Sequence, residues 1–366
     1  MHALCTKENL TKVLEIAVRI SARHHSLPIL QAVCIEAKNS TLEIRATNLE
    51  IGLIATISAE VKEEGVVAVS AQTLLQTLTI ALAATVTLQT KNDVLLVDLL
   101  NAHSELKTYA SDDFPTINQI SNTGIKVDGG LFSSGIKNVV FAASTSSIKP
   151  ELGAVYIYQK KPHTLTLVAT DSFRLAERQI PMNSFTLDHS LLVPQKNALE
   201  IARTIDLLNE SPLLHITENQ IAFSFPCGVY LVSRLIEGNF PDYEQIIPKE
   251  YQTYVTALLK DFERGLRSTN IFANKFMQVS LDVKPESHTL TLRAENTDSG
   301  RAEETLHVEG NGADLLLSFN QHYLMEALPH FTTDSIDFSL AGIGRPLVIK
   351  GKADENFRYL VMPMNK

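Results

Sequence analysis

The chain has 366 residues, 45% of them apolar and 20% charged, with a formal net charge of -9. That length carries roughly two or three domains with cores of their own and excludes a disordered chain, while the acidic balance argues against a protein that holds nucleic acid by charge alone. The three cysteines, Cys5, Cys34 and Cys227, are odd in number and lack any CxxC or CxxH spacing, so they read as free thiols packed in cores, in a reducing cytoplasm.

From the start of the chain, MHALCTKENLTK has no apolar run of the kind a signal peptide needs. Glu8 to Ser21 reads as an amphipathic helix, with Leu10, Val13, Leu14, Ala17 and Ile20 on one face and Glu8, Lys12, Glu15 and Arg19 on the other. Strands follow at Ile29 to Ala37 and Thr41 to Ala46. Gly65 to Thr90 carries no charge and is long enough by count to cross a bilayer, but Gln72, Gln76 and its threonines break it into strand, helix from Ala71 to Ala83, and strand. Strands at Thr85 to Gln89, Val94 to Leu99 and Glu105 to Ala110 complete this first stretch. Further helices are predicted near Leu131 to Ala143, Lys196 to Leu207, Lys260 to Ala273 and Gln321 to Leu328.

The chain repeats itself. TLEIRATN at Thr41, TLTLVATD at Thr164 and TLTLRAEN at Thr289 stand 123 (41 to 164) and 125 (164 to 289) residues apart. Val69-Ser70-Ala71-Gln72, Val193-Pro194-Gln195-Lys196 and Leu317-Ser318-Phe319-Asn320, where a strand runs into a helix, are spaced by 124 (69 to 193, then 193 to 317). Phe114-Pro115 and Phe240-Pro241 close the first two units. A period this long is a whole small domain, not a solenoid repeat. The expected class is therefore α+β: three copies, residues 1–122, 123–249 and 250–366, each with two helices packed on antiparallel sheets of about eight strands. Six helices are expected on one side of the array, with the sheets on the other.

Catalytic signatures fail one by one. Gly130 to Lys137, GLFSSGIK, misses a phosphate loop because Ile136 separates the second glycine from the lysine; it reads as a helix start. Gly342-Ile343-Gly344 lacks a third glycine and reads as a turn. The pair His24-His25 lies in a loop with no third ligand near it in sequence, and Asp112-Asp113 reads as a solvated turn before Phe114. No metal, cofactor or catalytic residue is expected.

Three copies of a two-helix domain, the central VATDSFRLAER, the phrase EGNFPDY from Glu237 and the terminal YLVMPM from Tyr359 together resemble the bacterial beta sliding clamp, the beta subunit of DNA polymerase III. The resemblance covers the whole chain. It implies DNA-clamp domains, a head-to-tail homodimer whose six domains form a ring around duplex DNA with the helices lining the hole, and a cytoplasmic, nucleoid-associated protein that does not enter membranes. Retention by topology removes the objection raised by the acidic charge, because a closed ring needs only weak contacts. The cations expected to face DNA are Lys12, Arg19, Lys137, Lys196, Arg203, Lys260, Arg264 and Arg267, with Arg23 and His24 in a loop; a plain solvated face with Glu8, Glu15, Glu200 and Glu263 is the alternative.

The resemblance further implies a hydrophobic cleft between the second and third domains. It would accept short linear peptides from the polymerase III alpha subunit, the clamp loader, other polymerases and repair proteins. Its walls fall here on Leu152, Thr170, Ser172, Phe173, Arg174, Leu175, Pro241, Gln245, Ile246, Asn320, Tyr323, Pro346, Met362, Pro363 and Met364. Met, Leu and Pro supply an adaptable apolar surface, and Arg174 is expected to offer a fixed donor. The chain departs from the family at Ser172-Phe173, where Gly-His or Ser-His is common, at Glu244-Gln245, where an Arg often follows Asp-Tyr, and at its Asn365-Lys366 end. Thr170 to Leu175 is expected to be peculiar to the second copy, since the others carry Asn48-Leu49-Glu50 and Asn296-Thr297-Asp298.

Overall fold

The computed structural model describes residues 1–21, 27–146, 148–182 and 186–364. The expectations placed on Arg23, His24 and the terminal Asn365-Lys366 lie outside the described residues. The described residues hold α1 (Lys7–Ile20), α2 (Ala71–Ile80), α3 (Gly129–Val140), α4 (Gln195–Leu208), α5 (Leu259–Asn270) and α6 (Gln321–Ala327). Every strand pairing between them is antiparallel. No helix among them is long and apolar enough to cross a membrane.

Each helix stands where apolar periodicity places it. In α1, Leu10, Val13, Leu14, Ala17 and Ile20 are buried and Ile16 joins them. At about 1.5 to 3 kcal/mol for each large aliphatic side chain, that face contributes on the order of 10 kcal/mol before chain entropy is subtracted. Capping fixes several starts: Ser70 Oγ accepts from Thr73 N at 3.2 Å before α2, Asp128 Oδ1 from Leu131 N at 2.9 Å in α3, and Asn320 Oδ1 from His322 N at 2.9 Å in α6. α2 ends at Ile80, three residues before the predicted Ala83, because the chain turns extended at Ala81. Ile29 to Gln31, predicted as the start of a strand, belong instead to a 3-10 turn, Pro28–Gln31, led by its proline.

The chain forms two compact units. Met1–Ser133 with Lys196–Leu235 make the first. Its strands join in one twelve-stranded sheet, which passes from the first copy into the second where Ile51–Glu63 pairs with Val229–Arg234. Ser134–Gln195 with Ile236–Lys366 make the second unit. There Arg174–Pro181 pairs with Asp354–Val361, so a nine-stranded sheet runs from the second copy into the third, beside a four-stranded sheet edged by Gly300–His307. In each unit, therefore, consecutive copies are bonded through their main chains, and sheet formation itself joins one domain to the next.

Two of the cysteines are buried as expected, but Cys227 is exposed. It lies in the tight Phe225–Gly228 turn, where Gly228 adopts φ +86° and the Cys227 amide donates to Glu210 Oε2 at 3.1 Å. A turn this tight leaves its side chain in water. Asp112 and Asp113 sit exposed in a one-turn helix, Ser111–Asp113, and Gly342 to Gly344 form a turn. Among the described residues no cluster of His, Cys, Asp and Glu could hold a metal ion.

Candidate functional site

The second unit builds its site around the turn between the strands Thr164–Thr170 and Arg174–Pro181. Thr170 Oγ1 donates to Arg174 O at 2.6 Å and accepts from Ser172 N at 3.2 Å; Asp171 Oδ1 accepts from Phe173 N at 2.9 Å and Arg174 N at 3.0 Å. With its amides consumed in this way the turn is rigid, Ser172 takes φ +78°, and the Phe173 side chain is driven out, 60% exposed.

Arg174 is fixed in the wall of this turn. It is 8% exposed, and all three guanidinium nitrogens are engaged: Nε with Asp171 Oδ2 at 3.0 Å, Nη1 with Glu326 on α6, and Nη2 with Phe141 O at 2.8 Å. The planar group lies 4.5 Å from the centroid of the Tyr323 ring and 5.7 Å from that of Phe141. Arg174 is thus a clasp that fixes the turn to α6 and to the end of α3. Three of its N–H groups serve the wall.

The chain terminus closes on the same turn. Met362 N donates to Phe173 O at 2.8 Å, one step past the last strand pair, and Met364 N donates to Ser318 O at 2.7 Å. Pro363, having no amide, stands between these two bonds, and all three side chains are half-buried. The linker is fastened from behind. Tyr243 packs with Val168, Leu175 and Leu360, and its hydroxyl meets Tyr158 Oη at 2.7 Å and donates to buried Glu177 at 2.8 Å. Glu177 also accepts from Arg358 at 2.6 Å, and burial pushes the Tyr243 phenol well above its ordinary range.

Among the expected wall residues the structure therefore joins Thr170, Ser172, Phe173, Arg174, Leu175, Tyr323 and Met362 directly. Pro346 is buried one residue before the strand Leu347–Gly351, which pairs with Asp354–Val361. Pro241, Gln245 and Ile246 are exposed on the linker, where Gln245 Nε2 is turned back to Asp242 at 2.9 Å. Leu152 is buried in the one-turn helix Pro150–Gly153, and Asn320 is occupied as the cap of α6. Glu326, Phe141, Tyr243 and Glu177 were not foreseen. Asp171 was legible as a turn residue, but nothing in the sequence pairs Arg174 with a glutamate 152 positions away.

The expectation that the second copy alone carries this turn is corrected. In the first copy Thr47 Oγ1 donates to Ile51 O at 2.9 Å and accepts from Leu49 N at 3.0 Å, while Asn48 Oδ1 accepts from Glu50 N at 3.0 Å and Ile51 N at 2.9 Å. The backbone device is identical because Asn and Asp present the same acceptor oxygen; only the outward side chains differ.

The described cations expected to face DNA divide into four groups. Lys196, Arg203 and Lys260 are exposed. Lys12, Arg264 and Arg267 are exposed but paired within their own helices, with Glu8 at 2.9 Å, Asp261 at 2.9 Å and Glu263 at 2.6 Å. Such pairs contribute little and exchange readily for a phosphate. Arg19 differs, since its Nε is 2.6 Å from Glu200 on α4. Glu200 is buried, not on a solvated face; desolvation raises its pKa while Arg19 opposes the shift, so Arg19 is committed to that carboxylate. Lys137 is half-buried on α3.

Tandem copies of two helices on antiparallel sheets, bonded across their junctions through their main chains, define a clamp-type protein. Three family profiles agree, end to end: DNA polymerase III beta subunit N-terminal domain over residues 1–118, central domain over 126–242 and C-terminal domain over 244–365. The chain belongs to the DNA polymerase III beta-subunit family. It is 26% identical over 373 residues to the beta sliding clamp of Pseudomonas aeruginosa, with all of both chains covered. A sliding clamp from that organism solved with griselimycin superposes with a TM-score of 0.92 at 25% identity, again over all of both chains. The beta subunit from Thermotoga maritima shares the fold with a TM-score of 0.94 at 24% identity and the same coverage.

Proposed function

We propose that this protein is a processivity clamp: a head-to-tail homodimer that encircles duplex DNA independently of sequence and tethers the polymerase III alpha subunit, the clamp loader, and other polymerases and repair proteins through the cleft around Phe173 and Met362. It is the non-catalytic subunit of the polymerase. Tethering acts by raising the local concentration of polymerase at its template. The observation that carries the reading is the tandem match of three beta-subunit domains over nearly the whole chain. Domain limits at 1–122, 123–249 and 250–366 follow the sequence markers, and a cytoplasmic, nucleoid-associated location follows the function. No cofactor is assigned.

Two unpaired features support a seam between copies. In unit one the strand Ala102–Tyr109 pairs with Val94–Leu99 along one side but with Gly65–Ser70 only through Thr108 and Tyr109, so the rest of its other side is open, beside Ile80, Leu82 and Leu100, which are 84%, 98% and 83% exposed. Unit two ends in the edge strand Gly300–His307, beside Ile271, 74% exposed. Open strand edges with bare aliphatic side chains need covering, and a heterologous contact between them generates a ring. The deciding experiment loads the protein on nicked circular DNA and then linearises that DNA. A clamp is retained before the cut and lost after it; retention indifferent to the cut would remove the topological reading. Deleting residues 362–366 should abolish peptide binding measured by fluorescence anisotropy, and unchanged affinity would sink the cleft. Leu82→Glu should shift the sedimenting species from dimer to monomer.

A further inference from the structure

The junction of the first two copies repeats the cleft in register. In the second unit Arg174 pairs with Val361 and Met362 N donates to Phe173 O at 2.8 Å; in the first unit Ile51 pairs with Ser233 and Arg234 N donates to Glu50 O at 2.8 Å. Position by position, Leu49 stands for Ser172, Glu50 for Phe173, Ile51 for Arg174, Gly52 for Leu175, and Arg234 for Met362. Gln220, opposite Arg234, stands for Pro346, and Ile117 on the first linker stands for Tyr243.

This junction holds a pocket of about 100 Å³, lined by Leu49, Ile51, Ile117 and Val232 with Glu50 and Arg234 at its rim. Gly52 is what admits the linker, since a Cβ there would lie 2.8 Å from Ile117 Cγ2. Leu49 is the second observation. It is 45% exposed at φ +76°, a left-handed backbone that costs a leucine of order 1 kcal/mol and that the matching turn gives to a serine. With nearly half of its surface left in water beside the pocket, Leu49 offers apolar area for a later contact.

Resting on the reading of the second junction as a peptide cleft, we infer that the first junction is a second peptide-docking pocket of altered chemistry. It takes one aliphatic side chain, about the size the cavity admits, from an extended segment bearing an acidic residue toward Arg234 and a basic one toward Glu50. The apolar side chains of Phe173 and Met362 suit a peptide of several apolar residues; Glu50, Arg234 and Gln220 reject it and select a charged one instead. The two junctions would then sort partners by charge while sharing one backbone frame.

The test uses the full-length protein with methyl-labelled Leu, Ile and Val and the probe acetyl-Asp-Gly-Leu-Gly-Lys-amide, titrated to millimolar concentration. The proposal expects shifts of the Leu49, Ile51, Ile117 and Val232 methyls, saturating together. It expects at least a tenfold weaker Kd for Arg234→Ala and for Leu49→Ser, both surface changes, and the same Kd for Phe173→Ala. Methyls that do not move, movement confined to Leu152 and Leu175, or a Kd untouched by Arg234→Ala would each overturn it. Binding of a Leu-rich peptide at the Phe173 cleft, followed in parallel, separates failure of this pocket from failure of the cleft reading.

Discussion

Arg174→Ala should be the most damaging single change at the cleft that leaves every apolar core residue in place. The wild-type guanidinium holds Asp171 at 3.0 Å, Glu326 and the Phe141 carbonyl, and covers Tyr323 at 4.5 Å. Breaking a fully buried ion pair costs about 3 to 5 kcal/mol, but the Glu326 side chain is 34% exposed and water screens it, which brings that share nearer to about 2 kcal/mol. The unpaired carbonyl and the lost ring contact add about 1 kcal/mol each. We therefore expect roughly 3 to 4 kcal/mol lost in the second unit. Arg174→Lys should recover less than half, since a point charge cannot span three acceptors in different directions. The chain has no tryptophan, and its several domains need not melt as one, so hydrogen exchange at the amides flanking the turn is the appropriate assay. A loss below about 1 kcal/mol, or Arg174→Ala and Glu326→Ala effects that simply add, would refute the clasp; a coupling of at least about 1 kcal/mol is expected.

Tyr243→Phe removes the hydroxyl that donates to Glu177 at 2.8 Å and should cost about 1 to 3 kcal/mol by the same assay, because Glu177 is only 4% exposed. Thiol titration at pH 8 should find Cys227 reactive in the native protein and Cys5 and Cys34 only after denaturation; burial pushes the Cys5 thiol to about 12 and also raises Cys34. Rapid native labelling at all three sites would contradict their placement. His330 stacks on Phe141 at 4.3 Å, and burial holds its pKa below the ordinary 6.5. The unfolded chain then takes up the proton first as pH falls, so the stability from a neutral His330 is complete above pH 6.5 and drains away as pH drops toward the folded value. His330→Gln should flatten that part of a urea-midpoint against pH curve, and an unchanged slope would assign the acid sensitivity elsewhere.

The sequence by itself determined the repeat, the six helices and most strands, because hydrophobic period and turn chemistry are local properties of a few adjacent residues. It also determined the family, since three copies in register with EGNFPDY and YLVMPM leave little room for coincidence. It marked Phe173 and Met362 as neighbours only by resemblance, and it mistook the Thr170 turn for a peculiarity of one copy, because Asn48 and Asp171 look different as letters while offering the same acceptor oxygen. Only the tertiary structure decided that Arg174 pairs with Glu326, that Arg19 pairs with Glu200, and that Glu50 and Arg234 line one pocket at the first junction. Those pairs join residues more than 150 positions apart. Charge in a sequence says that a partner is needed, whereas which carboxylate supplies it depends on how sheets from different copies pair, and that is settled by packing over the whole chain.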